Sequence, residues 1–247
     1  MRRLALLIGP GFQELPGVKR DMMAWHAFLA SPHGGAWNDT EIMDTSELIP
    51  NGQLTWNNLA PIVQNAFEAD YIFIAFSGHG GTYQTTTDQY GFPETYVYLN
   101  DRECISERQF FPRAYGKRCT ILLDCCRTPD MNIPMLKTAS QVKASTRPYS
   151  AALAKKRFCE ELEQCEYGIV HIYSTKPGEA AVDVSSFTRC LITGTKYALS
   201  QSRETKILSW KDAVSIGSAV LNQLGETQQP VYNAGRRLHH FPFAVNI

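Results

Sequence analysis

The 247-residue chain has no excess of either charge: 24 Lys and Arg balance 24 Asp and Glu. A neutral chain offers no electrostatic reason for nucleic acid or an anionic membrane as its main partner. It also lacks any segment approaching the roughly 18 consecutive apolar residues of a membrane helix. Met1-Arg2-Arg3 followed by Leu4 to Ile8 has the outline of a signal peptide, but the apolar run is too short and Gly9-Pro10-Gly11 breaks it at once. The chain is therefore expected in the cytoplasm, with no nucleic-acid or membrane partner. Among its seven cysteines there is no CxxC pair, and the number is odd. Both facts argue against a disulfide framework and against a structural zinc site. No internal repeat occurs. What remains is 44% hydrophobic and 11% aromatic residues, enough to build one sizeable packed α/β domain.

The apolar runs alternate in kind along the chain. Leu4 to Ile8 and Asp70 to Phe76 are short, near-continuous and rich in β-branched or aromatic residues, as buried parallel strands are. Cys119 to Leu123 and Gly168 to Tyr173 repeat the pattern, with shorter candidates at Glu41 to Met43, Tyr96 to Leu99 and Phe243 to Val245. Val18, Met22, Trp25 and Leu29 fall at helical spacing, and Asp21 is read as lying off that face. Further helices are expected over 55–69, 151–165, 187–201 and 210–224. Strands alternating with helices predict a mostly parallel sheet covered on both faces, with ligands beyond the carboxyl ends of its strands. Two motifs fall at that edge. Ser77-Gly78-His79-Gly80-Gly81 follows one strand and is read as a loop; Asp124-Cys125-Cys126-Arg127 follows another.

A thiol attacks a carbonyl only as its thiolate, and an ordinary cysteine with a pKa of about 8.5 is a few per cent ionised near neutrality. It needs an imidazole to take its proton and later return one to the leaving amine. It also needs backbone N–H groups aimed at the developing oxyanion, each worth roughly 3–4 kcal/mol. Cys126, His79 and the backbone amides of Gly80 and Cys126 supply all three requirements. Taken singly, each has a plainer reading. Cys125 is expected to be a buried thiol, the glycine-rich segment could be only a turn, and Asp124 could cap a strand end.

Ser77-Gly78-His79-Gly80, followed by Asp124-Cys125-Cys126-Arg127 with about 50 residues between histidine and cysteine, resembles the catalytic signature of the caspase and metacaspase clan. Leu4 to Gly9, Leu15-Pro16-Gly17 through Asp21, Glu179-Ala180 and Phe187-Thr188 widen the resemblance to nearly the whole chain. It implies a caspase-like three-layer α/β/α sandwich with a central, mostly parallel sheet. The single domain, 1–247, would divide into a large-subunit-like part to about 128, a mobile linker over about 129–160, and a small-subunit-like part over about 161–247. It also implies a cysteine endopeptidase working through a thioester acyl-enzyme. In this family, acids before the nucleophile and in the first helix line the pocket for the residue preceding the scissile bond. The matching positions are Asp124 and Asp21, with Ser77 beside them. Two carboxylates there favour Arg or Lys in the substrate. Lys137, Lys143, Arg147, Lys155, Lys156 and Arg157 in the linker are then candidate self-cleavage sites.

The chain departs from the metacaspase pattern after the nucleophile, where Arg127-Thr128-Pro129 stands in place of His-Ser-Gly, and at Val18, where a cysteine is common. The family's calcium-binding aspartates do not align cleanly. Asp88, Glu94 and Asp101 are the scattered acids of that region, so no cofactor is required and Ca2+ is left as an open alternative. Two other functions stand beside the main one: a catalytically silent caspase-like scaffold, and a peptidase selecting an acidic residue. No adaptor precedes residue 1, which suggests a bare catalytic domain with a protein or peptide substrate and an activating partner protein. Its compact size suggests a prokaryotic relative in defence or programmed death.

Overall fold

The computed structural model describes residues 1–11, 15–49, 53–87, 93–111, 116–128, 150–181, 186–202 and 204–246. The first strand, β1 (Arg3–Ile8), enters helix α1 (Pro16–Ala30), whose proline stands in the first turn, where a missing N–H costs nothing. Then come β2 (Ile42–Asp44), the short α2 (Thr45–Leu48), and α3 (Trp56–Ala66). Thr55 caps α3 by accepting from the Asn58 N–H. β3 (Tyr71–Ser77) leads into an antiparallel excursion of β4 (Gly80–Thr87), β5 (Pro93–Asn100) and β6 (Glu103–Ser106). β7 (Arg118–Asp124) returns to the main sheet. The remainder is α4 (Ala151–Gln164), β8 (Gly168–Tyr173), α5 (Phe187–Gln201), β9 (Lys206–Ser209), α6 (Trp210–Gln223), β10 (Val231–Asn233) and β11 (Pro242–Asn246).

Six strands form the central sheet in the order β10-β8-β7-β3-β1-β2, parallel except for the β10 edge. Its side chains alternate between two cores, as a period of two requires. Ala5, Leu7, Phe73, Ala75, Leu122, Val170 and Ile172 face one layer, where α1, α4, α5 and α6 contribute Trp25, Phe158, Leu191 and Trp210. Leu4, Leu6, Ile8, Ile72, Ile74, Phe76, Ile121 and Leu123 face the other, with Leu59 and Val63 of α3 and Val97 of β5. The result is the expected three-layer sandwich.

Several sequence expectations need correction. Ser77 to Gly81 is not all loop: Ser77 ends β3, and Gly80 and Gly81 begin β4, paired with Val97 and Tyr96. Their small size hid a strand from any reading of apolar runs. Phe243 to Val245 pairs with β9 in a separate two-stranded sheet. Residues 151–160, counted with the linker, are the body of α4, so Lys155, Lys156 and Arg157 lie on a helix. Lys155 there pairs with Glu41 at 2.9 Å. Lys137, Lys143 and Arg147 lie outside the described residues. Asp21 is not off the apolar face of α1. It lies three residues from Val18 and four from Trp25, on the same stripe, and is 2% exposed.

Candidate active site

The parallel register aligns Tyr71 with Arg118 through to Ser77 with Asp124. Both motif loops therefore leave the sheet at the same level on adjacent strands. Beyond the ladder the contact continues, since the Gly78 N–H donates to the Asp124 carbonyl at 3.2 Å. A β-carbon placed on Gly80 would stand 2.5 Å from Cys125 Sγ and 3.0 Å from the Cys126 carbonyl oxygen. The two neighbours of His79 thus both abut the backbone or side chains of 124–126. The His79 carbonyl accepts from the Tyr98 N–H at 3.0 Å, tying its loop to β5. His79 itself is half-buried.

Cys126 is 5% exposed, and Cys125 is sealed in the core. The Cys126 sulfur accepts from the Ala181 N–H at 3.2 Å and lies 3.8 Å from the Ala181 carbonyl. Burial pushes the Cys126 thiol up from its ordinary pKa, and the Ala181 N–H partly opposes that. Ala181 lies in the stretch after β8, which is pinned to the Cys126 loop. The Arg127 N–H donates to the Glu179 carbonyl at 2.9 Å, and the Gly178 N–H donates to the Arg127 carbonyl at 2.8 Å. The Arg127 side chain is a buried strut. Its guanidinium lies 3.9 Å from the Tyr173 ring centroid and donates to Thr95 Oγ1 and the Thr175 carbonyl. Arg127 therefore braces the turn after Cys126.

Asp21 and Asp124 come together at the start of α5. Asp21 Oδ2 accepts from Ser77 Oγ at 2.8 Å, and Oδ1 accepts from Ser186 Oγ at 2.6 Å. Arg189 Nε lies 3.5 Å from the same Oδ1. Asp124 Oδ2 accepts from the Thr188 N–H at 2.8 Å, so it holds the first turn of α5 rather than capping a strand end. Burial first, and then the neighbouring Asp124 charge, raise Asp21 from 3.8 to about 8, against the hydrogen bonds of Ser186 and Ser77 and the charge of Arg189. Burial raises Asp124 as well, opposed by Thr188, Ser174 and Arg189. Ser186 and Arg189 were missed by sequence reasoning, which singled out only Phe187-Thr188 between them. Ser186 lies 165 residues from Asp21.

No group of three or more His, Cys, Asp or Glu side chains suited to a metal occurs among the described residues. Of the acids considered for calcium, Asp88 lies outside them. Glu94 accepts from Ser106 Oγ and lies 3.7 Å from Arg108 Nε, and Asp101 is exposed in a turn. No helix is long and apolar enough to cross a membrane among the described residues.

Two predictions follow from this geometry. The folded protein holds a proton on Asp21 up to about pH 8, whereas the unfolded chain releases it near 3.8. Folding stability referable to Asp21 therefore falls as pH rises between those values and is level above. Asp21→Asn removes that slope, so its stability relative to wild type rises across the interval in urea titrations; a parallel pair of curves would refute the assignment. Gly80→Ala forces its methyl into Cys125 Sγ and is expected to lower stability by about 1–3 kcal/mol, read from the urea midpoint.

Comparison with known proteins agrees with the geometry. A family model described as caspase domain matches residues 2–241. Among solved structures, caspase-1 from Spodoptera frugiperda is similar over 94% of this chain and 86% of that one, with a TM-score of 0.55 and 13% identity. At that identity the likeness speaks for the fold. No curated protein matches the chain by sequence. With the family match running from the first strand to within a few residues of the end, the chain belongs to the caspase domain family.

Proposed function

We propose that the protein is a cysteine endopeptidase that cleaves after Arg or Lys, with Cys126 as nucleophile and His79 as acid–base partner. The observation that carries this is the fixed β3–β7 register, which sets the His79 and Cys126 loops against each other. In the first step the Cys126 thiol gives its proton to His79, and sulfur bonds to the substrate carbonyl carbon. The N–H groups of Gly80 and Cys126 hold the oxyanion. Collapse breaks the C–N bond, the amine leaves with the proton from His79, and a thioester remains. Water then attacks, His79 takes its proton, and the acid product departs as the thiol is restored.

Asp124, and an Asp21 that gives up its proton as a cation enters, supply with Ser77 the charge that a basic substrate side chain seeks. The second reading, selection of an acidic residue, draws support from Arg189 beside Asp21. Paired fluorogenic peptides ending in Arg or Asp separate the two. Faster turnover of the Arg peptide is expected; faster turnover of the Asp peptide would defeat the pocket assignment. Cys126→Ala and His79→Ala should each lower kcat by at least about a hundredfold while the protein stays folded. Full activity in either variant would remove that residue from the proposed pair, and a wild type without activity would return the chain to the silent-scaffold reading.

Self-processing belongs to the same proposal. Peptidase clefts take extended chain, so Lys155, Lys156 and Arg157 on α4 are poor sites. Cleavage is expected between 129 and 149 instead, at Lys137, Lys143 or Arg147. Intact mass of wild type beside Cys126→Ala tests it, and a single uncut species in both would remove self-processing. A cytoplasmic, metacaspase-like enzyme of a prokaryotic defence or death pathway, switched on by a partner protein, fits this reading.

A further inference from the structure

Resting on the basic-residue reading above, we propose that Arg189 is the resident occupant of the specificity pocket, an internal cation that a substrate Arg or Lys must displace to reach Asp21. Asp21 is enclosed, with 2% exposure of its side chain, whereas the Arg189 side chain is 26% exposed. The arginine therefore stands on the solvent side of the carboxylate it pairs with. Its Nε lies 3.5 Å from Asp21 Oδ1 and donates to Ser186 Oγ at 3.2 Å. Ser186 Oγ in turn donates to Asp21 Oδ1 at 2.6 Å. A carboxylate binds a guanidinium best through a planar fork. At Asp21 the Oδ2 atom is already held by Ser77 and the Oδ1 atom by Ser186 and Arg189. A substrate fork has no complete edge of that carboxylate to engage until Arg189 withdraws.

Arg189 is suited to withdraw. It is the third residue of α5, and its side chain, 26% exposed, reaches solvent. Its charge acts on Asp124 too, so one resident cation serves both carboxylates. A structural arginine of this chain looks different. Arg127 is 3% exposed, and its guanidinium lies against Tyr173 and donates to two oxygens. The consequence is a pocket that is nearly charge-compensated at rest and admits only substrates that outcompete an internal arginine. Discrimination between basic and neutral residues is then lower in wild type than the two acids alone would give.

The test is the selectivity of Arg189→Gln, which keeps polarity and removes charge. KM for an Arg-ended reporter should fall about tenfold, the worth of one competing charge-assisted hydrogen bond, and by more than kcat changes. The ratio of Arg-ended to norleucine-ended turnover should rise, and inhibition by benzamidine should tighten in step. Arg189→Lys, which keeps charge without the planar fork, should fall between. If wild type cleaves Arg reporters and Arg189→Gln leaves both KM and the ratio unmoved, the resident-cation assignment fails alone. If neither protein cleaves Arg or Lys reporters while Asp reporters turn over, and Arg189→Gln abolishes that turnover, the basic-specificity reading fails with it. Should the variants not fold, the wild type itself decides. Phenylglyoxal labelling of Arg189, mapped by mass spectrometry, should quicken when a peptidyl-arginine aldehyde occupies Cys126; an unchanged or slower rate overturns the displacement.

Discussion

The parallel pairing of β3 with β7 is the constraint on which the rest of the site depends. Seven residue pairs run from Tyr71 and Arg118 to Ser77 and Asp124, and every one of these residues is buried. A slip by one residue would turn Ile72, Ile74 and Phe76 into the layer now filled by Phe73 and Ala75. Both cores oppose that slip, so the register is set by hydrophobic packing far from any chemistry. The positions just beyond the ladder inherit that precision. Gly78 extends it by one hydrogen bond to Asp124, and Gly80 permits the closest approach, where a larger residue would meet Cys125 Sγ. A nucleophile and a base on separate loops need rigid elements beneath them. Here the rigid elements are two central strands buried along their whole length.

Placing two carboxylates at the end of such a sheet is costly, and the structure offsets the cost in several ways. Each acid accepts hydrogen bonds, Asp124 lies at the N-terminus of a 15-residue helix, and Arg189 adds a positive charge. The offset is incomplete, which is why burial still dominates the titration of Asp21 and lifts it to about 8. A purely structural pair would be simpler to build from a carboxylate and an amide. Asp124 raises Asp21, and the one arginine acts on both acids, the kind of displaced titration that clusters at functional sites.

What the sequence made legible follows from which forces act locally. The strands of the main sheet show in the sequence because a strand buried on both faces must be apolar throughout, and the loops at their ends show because glycine and polar residues interrupt those runs. Leu4 to Ile8, Gly168 to Tyr173 and the segments around His79 and Cys126 were legible for that reason. β4 was not, because Gly80-Gly81-Thr82 carries no apolar period and owes its strand to pairing with Thr95, Tyr96 and Val97. Asp21 was misjudged by its chemistry. Its spacing from Val18 and Trp25 already put it on the buried stripe of α1, but a charged side chain invites an outward reading. Ser186 and Arg189 were beyond reach, since nothing near them in the chain tells that α5 begins against α1 and β7.

The same geometry sets reactivity against access. Burial protects the Cys126 sulfur and raises its pKa, and the Ala181 backbone takes up its nearest polar contact. An attacking sulfur needs its target carbon within about 3–3.5 Å, and the Ala181 N already stands 3.2 Å from the Cys126 sulfur on one side. Ala181 lies in the stretch after β8, and Arg189 follows it at the start of α5. Ala181 beside Cys126 and Arg189 beside Asp21 thus both come from the part of the chain after residue 149. The His79 and Cys126 loops come from the part before it. A change in how the later part lies against the earlier one would bear on thiol access and pocket charge together, because the residues that govern each are only a few positions apart. That coupling needs no dedicated regulatory domain; it is contained in the order of β8 and α5 along the chain.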